Sequence, residues 1–153
     1  MLKLDQTDKT LLTLLQNDSK QTNKELSNKL NLSVTAVYER IKKLEKEGVI
    51  KKYVALLDKK PIEKSFLAHC HVRLTQHSKE FVMKFEREII KLEEVLECYH
   101  VSGDYDYILK VLVKDMEAYR DFMVTKLTAI PNIGNTHSIF VIGEVKHTTA
   151  ISI

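Results

Sequence analysis

Residues 22–50 read TNKELSNKLNLSVTAVYERIKKLEKEGVI, and this stretch predicts two short helices joined by a tight turn. Thr22 and Glu25 have the spacing of a capping box, in which each side chain bonds the other residue's free backbone N–H. Residues 31–33 interrupt the helical pattern, and Ser33 can cap the next helix. Beyond Ser33 an apolar stripe recurs at spacings of three and four: Val34, Val37, Ile41 and Leu44. The pattern is therefore typical of a helix-turn-helix, whose second helix can enter a DNA major groove.

The outward face of the second helix carries residues that are suited to DNA. Its first turns, where base edges are usually met, carry Thr35, Tyr38 and Glu39. Phosphate contacts, which position a protein without reading sequence, are expected from Lys42, Lys43, Lys46, Lys51 and Lys52. With the two caps included, the predicted DNA-contact set is Thr22, Ser33, Thr35, Tyr38, Glu39, Lys42, Lys43 and Lys51. A three-helix bundle with an ordinary solvated basic face would show the same periodicity, so the pattern alone leaves that alternative open.

The charge of the chain is unevenly distributed. Residues 1–60 hold 13 Lys and Arg against 8 Asp and Glu, whereas residues 61–153 hold 11 against 13. A basic N-terminal third beside a slightly acidic remainder is typical of a polyanion-binding head on a neutral body. We therefore expect binding to double-stranded DNA that weakens steeply with salt, because counterions are released for each neutralised phosphate.

Length and composition bound the class of protein. The 153 residues fit one ordinary domain or two small ones, and a hydrophobic content of 44% excludes wholesale disorder. Cys70 and Cys98 cannot make a disulfide framework, which favours reduced thiols inside a cell. The start, residues 1–5, reaches charge before any apolar stretch could act as a signal peptide, and apolar runs such as 139–142 are far short of a membrane span. We expect a cytoplasmic protein with no membrane partner.

Residues 58–61 separate two kinds of organisation. Before this break, Asp5 is placed to cap a first helix, Gly48 is placed to end the third, and residues 49–57 are β-prone and predict a strand. After it, alternating or helical spacing predicts strands at 65–75, 95–102, 106–113 and 133–148 and helices at 78–92 and 115–129. The order β-α-β-β-α-β is the ferredoxin-like plan, so we predict an α+β chain with a helical head.

The two faces of the predicted sheet differ in character. In the strand at 65–75, one face carries the apolar residues Phe66, Ala68, Cys70, Val72 and Leu74, and both helices are expected to cover it. The other face would expose Leu67, Ile108 and Phe140, which are poor candidates for permanent exposure. Pairing with a second copy of the chain is the simplest way to cover them, so we expect a homodimer.

Four stretches form an ordered pattern over nearly the whole chain. They are residues 4–18 (LDQTDKTLLTLLQND), residues 32–50 with the recognition helix and the turn after it, residues 95–107 (VLECYHVSGDYDY), and the tail 133–153. In this order they resemble the opening helix, the recognition helix, the sheet corner of the effector domain and the C-terminal tail of the Lrp/AsnC, or feast/famine, transcriptional regulators.

The resemblance implies a winged helix-turn-helix head at 1–50, a connecting strand and linker at 51–64 that pairs between subunits, and a ferredoxin-like effector-binding and oligomerisation domain at 65–153. It also implies homodimers that often assemble into octamers and bind an amino acid between dimers. Carried over residue by residue, the effector-binding set is Tyr99, Val101, Ser102, Gly103, Asp104, Asp106, Thr136 and Ser138. One departure is Pro61, which stiffens a linker where the family commonly has glycine, so the angle between head and body is expected to differ.

The chemistry of the predicted effector loop suits an amino acid. Gly103 permits a turn that other residues resist and leaves backbone N–H groups free for a carboxylate. Asp104 or Asp106 can accept hydrogen bonds from an α-ammonium. The last predicted strand supplies two hydroxyls on one face, those of Thr136 and Ser138. A plain hairpin turn also favours Gly and Asp, so the residues alone leave both interpretations open.

Histidines and cysteines raise two alternatives. His69 and His71 share one predicted strand face, and Cys98 and His100 share a face of another strand, but no CxxC or HExxH motif supports a metal site. Sirohaem decarboxylases resemble the same architecture and act with help from histidine, for which the candidates are His69, His71, His100 and His137. The lysine-rich recognition helix argues against an enzyme, and a pure interaction module would leave that helix unexplained. We therefore predict a non-enzymatic regulator with no cofactor and no metal.

Overall fold

Three short helices form the N-terminal part of the chain in the computed structural model, which describes residues 3–153. They are α1 (Gln6–Asn17), α2 (Asn23–Leu30) and α3 (Val34–Lys46). Met1 and Leu2, which belong to the predicted charged start, lie outside the described residues. Within the described part of the chain, no helix is long and apolar enough to cross a bilayer.

Each of these helices begins at the cap that the sequence predicts. Asp5 and Thr22 close capping boxes, with Asp5 Oδ1 accepting the N–H of Asp8 at 2.7 Å. Ser33 Oγ accepts the N–H of Ala36 at 3.1 Å. Such caps satisfy backbone donors that the helix itself leaves free, which is why short-range sequence patterns locate them.

The core of the helical head is made of apolar side chains from all three helices. The deepest are Leu11, Leu26, Val37 and Leu44. Val34, which the sequence placed on the same inward stripe, is 47% exposed, so that prediction is wrong. Val34 is the first residue of α3, and the buried part of the stripe begins one turn later at Val37.

The strand predicted at residues 49–57 is not formed within this single chain. Gly48 ends α3 with φ at 72°, as expected, and the residues after it have no strand partner among the described residues. A strand exists only through hydrogen bonds to a neighbour, so a β-prone sequence without one stays irregular. The apolar side chains of this segment are exposed: Tyr53, Val54, Leu56 and Leu57.

Two compact units divide the chain. The first ends at Leu56 and also includes the tail Lys146–Ile153, whereas the second is Leu57–Val145. Within the first unit, the tail is joined to α1 because the amide group of Gln16 bonds both backbone groups of Ile151, at 3.0 Å and 2.6 Å.

The second unit is a four-stranded antiparallel sheet with helices on one face. Its elements are β1 (Phe66–Leu74), α4 (Lys79–Ile89), β2 (Val95–His100), β3 (Tyr107–Val113), α5 (Met116–Asp121) and β4 (Ile133–Phe140). The sheet order is β2-β3-β1-β4. This is the predicted β-α-β-β-α-β order, so the α+β fold class with a ferredoxin-like second part is confirmed.

The helix-covered face of the sheet contains the larger core. Alternate residues of β1 and β3 are buried there: Ala68, Cys70, Val72, Leu74, Tyr107, Leu109, Val111 and Val113. Phe85 of α4 and Tyr119 of α5 belong to the same core. The predicted long helix at 115–129 is instead two pieces, because α5 passes into a π-helical turn at Phe122–Leu127. Phe122 and Leu127 are nevertheless buried in this core.

The last strand is shorter than predicted and presents a different side chain to the open face. It ends at Phe140 rather than residue 148, because its partner β1 begins at Phe66 and offers no further pairing. Phe140 lies opposite Ala68 and packs on Phe66 and Tyr119 on the helix-covered face, so its predicted place on the open face is wrong. Ile139, opposite His69, takes that place.

Candidate DNA-binding helix and effector loop

An ion-pair cluster fixes α3 against the start of α1. Arg40 Nη1 lies 2.8 Å from Asp5 Oδ2 and 2.6 Å from Asp8 Oδ1, and Asp8 is only 4% exposed. The N–H of Asp8 and the Arg40 guanidinium bond the carboxylate of Asp5 and hold its pKa below the ordinary value. The hydrogen bonds that Arg40 donates to Asp5 and Asp8 in turn raise the pKa of Arg40. Sequence reasoning missed Arg40, although the Asp-x-x-Asp spacing at the cap was visible.

The predicted DNA-contact residues all lie on the surface of the first unit. On α3, an exposed face is formed by Thr35, Tyr38, Glu39, Lys42, Lys43 and Lys46. Lys51 is exposed in the segment after Gly48. Thr22 and Ser33 are the exposed N-cap residues of α2 and α3, and their hydroxyls accept backbone hydrogen bonds there. Because the buried stripe and the Arg40 cluster hold the opposite side of α3, this exposed face is free of the protein's own core.

The predicted effector loop connects β2 to β3 and is fixed to the end of β1. Gly103 has φ at 128°, a conformation that side chains disfavour, and a Cβ there would meet nothing within 4 Å. Arg73 Nε donates to the carbonyl of Asp104 at 2.6 Å, and the N–H of Asp106 donates to the carbonyl of Val72 at 2.9 Å. The loop is therefore held by β1 at both of its acidic residues.

The two acidic residues of the loop have different environments. Asp106 accepts a hydrogen bond from the N–H of Leu74 at 2.7 Å and lies 2.9 Å from Nε2 of His77. Burial raises the pKa of Asp106, but the bonds from Leu74 and His77 outweigh it and leave the pKa below the ordinary value. The side chain of Asp104 is exposed. Asp106 thus supports the loop, and Asp104 is the carboxylate that faces solvent.

The remaining predicted effector residues are divided between the two faces of the sheet. Thr136 and Ser138 share the helix-covered face, opposite Val72 and Cys70, and Ser138 Oγ lies 2.7 Å from the hydroxyl of Tyr119. Tyr99 lies on the open face, where its hydroxyl donates to Glu97. Thr136 is therefore at the same end of the sheet as the loop, whereas the hydroxyl of Ser138 has a partner within the fold.

The four histidines of the strands lie on both faces of the sheet. His69, His71 and His137 are on the open face, whereas His100 stacks on Tyr107 on the helix-covered face. Tyr105, which sequence reasoning did not single out, reaches across β1: its ring is 5.3 Å from that of His71, and its hydroxyl is 3.5 Å from Nδ1 of His137. In the part of the chain that the structure describes, no group of three or more His, Cys, Asp or Glu is arranged to hold a metal.

A helix-turn-helix head with an exposed basic helix, followed by a ferredoxin-like unit with a fixed glycine loop, defines a two-domain DNA-binding regulator. Family models agree: one described as winged helix-turn-helix DNA-binding matches residues 4–51, and one described as Lrp/AsnC ligand binding domain matches residues 67–151. The chain belongs to the Lrp/AsnC family of transcriptional regulators, which confirms the resemblance found in the sequence.

Individual relatives are similar over almost their whole length. The leucine-responsive regulatory protein of Escherichia coli (strain K12) is 37% identical over 150 residues, covering 98% of this chain and 92% of that protein. A transcriptional regulator of Neisseria meningitidis, solved as a complex with L-Met, has a TM-score of 0.93 and 33% identity, covering 97% of this chain and 96% of that one. An AsnC family regulator of Agrobacterium tumefaciens has a TM-score of 0.93 and 35% identity with the same coverage.

Proposed function

We propose that this regulator binds double-stranded DNA by laying the exposed face of α3 in a major groove. The observation that carries this is the order of residues on that face. Thr35, Tyr38 and Glu39 occupy the first turns, and the lysines follow them. Helix-turn-helix proteins contact base edges near the start of the recognition helix and phosphates farther along, so the residue types match the expected positions. Thr22, Ser33 and Lys51 flank the same surface and are assigned to the DNA backbone.

The effector of this chain is proposed to be an amino acid bound at the 101–106 loop. Support comes from two relatives, one named leucine-responsive and one solved with L-Met. Backbone N–H groups at Ser102 and Gly103 suit an α-carboxylate, and the exposed carboxylate of Asp104 suits an α-ammonium. The N–H of Val101 already donates to the carbonyl of Asp106 at 2.8 Å, so Val101 closes the loop. Tyr99 and Thr136 flank the loop, while Asp106 and Ser138 act from within the fold by holding the loop and β4.

We further propose that the chain works as a homodimer that assembles into octamers. Its open sheet face carries apolar side chains that a second copy would cover: Ile139 is exposed, and Leu67 and Ile108 are half-buried. Residues 51–57 are β-prone and have no strand partner among residues 3–153. We assign them to pair with the same segment of a second copy. A regulator of this kind must reach the genome, so we propose that the protein is cytoplasmic.

The chain is proposed to act without catalysis, metal or cofactor. The alternative is an enzyme similar to the sirohaem decarboxylases, which would need its histidines to converge on one substrate. His69, His71 and His137 share the face assigned to dimerisation, and His100 lies on the other side of the sheet. A basic recognition helix has a use in a DNA-binding regulator and none in such an enzyme.

Genome-wide mapping of bound DNA, with and without added leucine or methionine, tests this function. We expect discrete sites whose occupancy changes with the amino acid, because an effector acts only through different affinities for two states of the protein. Asp104→Ala is the matched control and should bind the same sites without responding. Uniform occupancy of the genome would contradict sequence-specific DNA binding by α3. A response to the amino acid that persists in Asp104→Ala would contradict the assignment of the effector loop.

A further inference from the structure

One carboxylate on α3 is bonded to the very surface that is assigned to DNA. Glu45 Oε2 lies 2.9 Å from Lys42 Nζ, and Glu45 Oε1 accepts the hydroxyl of Tyr53 at 3.1 Å. The ammonium of Lys42 also lies 5.7 Å from the centroid of the Tyr38 ring. Both oxygens of Glu45 are thus occupied. Its partner Lys42, and Tyr38 beside Lys42, are both proposed DNA contacts.

The contact between Glu45 and Lys42 is a true ion pair at neutral pH. The hydrogen bond from Lys42 lowers the pKa of Glu45 below its ordinary value. The same bond raises the pKa of Lys42. Both groups therefore keep their charges, and the ammonium of Lys42 already has an anionic partner before any DNA is present.

We propose that Glu45 is an internal competitor of DNA phosphate for Lys42, and that it lowers the affinity of the protein for any duplex. This proposal rests on the docking of α3 proposed above. A phosphate oxygen must displace the carboxylate before Lys42 contributes its charge. Exposed ion pairs are weak, so displacement is possible and the expected penalty on affinity is about two- to fivefold.

Lys43 provides the comparison within the same helix turn. Its side chain is exposed, and among the described residues no carboxylate forms an ion pair with it. Lys43 is therefore available to phosphate without a competing partner. The two neighbouring lysines are therefore expected to contribute differently to DNA affinity. Lys43→Ala should weaken DNA binding more than Lys42→Ala does.

Glu45→Gln tests the competition with little other change. Glutamine keeps an oxygen that can accept from Tyr53 and is nearly as good a helix former as glutamate, so only the charge is removed. We expect the variant to bind a random-sequence duplex about two- to fivefold more tightly by fluorescence anisotropy.

Two further variants separate this mechanism from a general charge effect. Glu47→Gln removes the same charge from the exposed C-cap of α3, and it should change affinity less than Glu45→Gln. In a Lys42→Ala background, Glu45→Gln should lose its gain. A gain that persists without Lys42, or one that Glu47→Gln matches, would overturn the proposal.

The failure of this proposal is distinguishable from failure of α3 docking. If Lys43→Ala weakens duplex binding but Glu45→Gln leaves it unchanged, the internal competition is refuted and the docking stands. If neither Lys43→Ala nor Lys42→Ala affects binding, the docking itself fails, and the role of Glu45 fails with it.

Discussion

At the scale of single residues, Arg40 is the polar side chain that fixes α3 to the start of α1. It joins α3 to both acidic residues at the start of α1, and one of these, Asp8, is almost completely buried. A buried carboxylate that loses its hydrogen-bonded partner is costly. The side of α3 that is proposed to contact DNA is thus opposite the side that this ion-pair cluster holds.

Arg40→Ala is expected to destabilise the helical head by about 1–3 kcal/mol, because Asp8 then stays buried without its guanidinium partner. Urea unfolding measures the change. Lys46→Ala, on the exposed face of the same helix, is the control and should cost less than about 0.5 kcal/mol. Equal losses for the two variants would show that the ion-pair cluster contributes nothing specific.

Asp106 is expected to contribute stability that depends on pH. Its pKa in the folded protein lies below the ordinary value of 3.8, so the contribution is complete above that value and is lost as pH falls through the folded pKa. The gap in unfolding free energy between the wild type and Asp106→Asn should therefore be full at about pH 6 and shrink below about pH 4. Asp104→Asn, at an exposed carboxylate, should show a smaller gap. A gap for Asp106→Asn that stays constant down to pH 3 would contradict this role.

At the scale of elements, the helix starts were predictable and the strand at residues 49–57 was not. A cap joins residues three positions apart, so Thr22 with Glu25 can be recognised in the chain itself. A strand needs a partner that the sequence does not name, and none lies among the described residues of this chain. The side on which Phe140 lies depended in the same way on the register between β1 and β4.

The candidate effector site was predictable in part for a related reason. The turn at Gly103 follows from residue type, since its φ suits glycine. The different roles of Asp104 and Asp106 depend on contacts with β1, which is about thirty residues away in the chain and is not visible in local spacing. The pairing of Ser138 with Tyr119 is non-local too.

Ser33→Ala is expected to cost about 1 kcal/mol of stability, because its hydroxyl accepts the N–H of Ala36 at the start of α3. Ser78 offers a matched control. It occupies the same cap position before α4 but makes no side-chain capping bond, so Ser78→Ala should be nearly neutral. Thermal unfolding followed by circular dichroism compares the two. A larger loss for Ser78→Ala would refute the assignment of the cap.

At the scale of the whole molecule, the open face of the sheet is expected to hold two copies together. Ile139→Lys places a charge on that face and should weaken dimerisation by at least about tenfold, or about 1.4 kcal/mol, in analytical ultracentrifugation. Val124→Lys is the control, because Val124 is 66% exposed on the π-helical turn at the helical side of the sheet. If Val124→Lys dissociated the dimer and Ile139→Lys left it intact, the interface would lie on the helical side of the sheet instead.

The docking of α3 in a DNA groove is tested most directly by the salt dependence of duplex binding for the wild type and for Lys43→Ala. Fluorescence anisotropy from about 50 to 200 mM salt should show binding that weakens steeply for the wild type. Lys43→Ala should bind all sequences more weakly, with a salt slope reduced by about one per subunit. A wild-type protein that ignores duplex DNA at the lowest salt, or a variant with the same affinity and slope, would contradict the account.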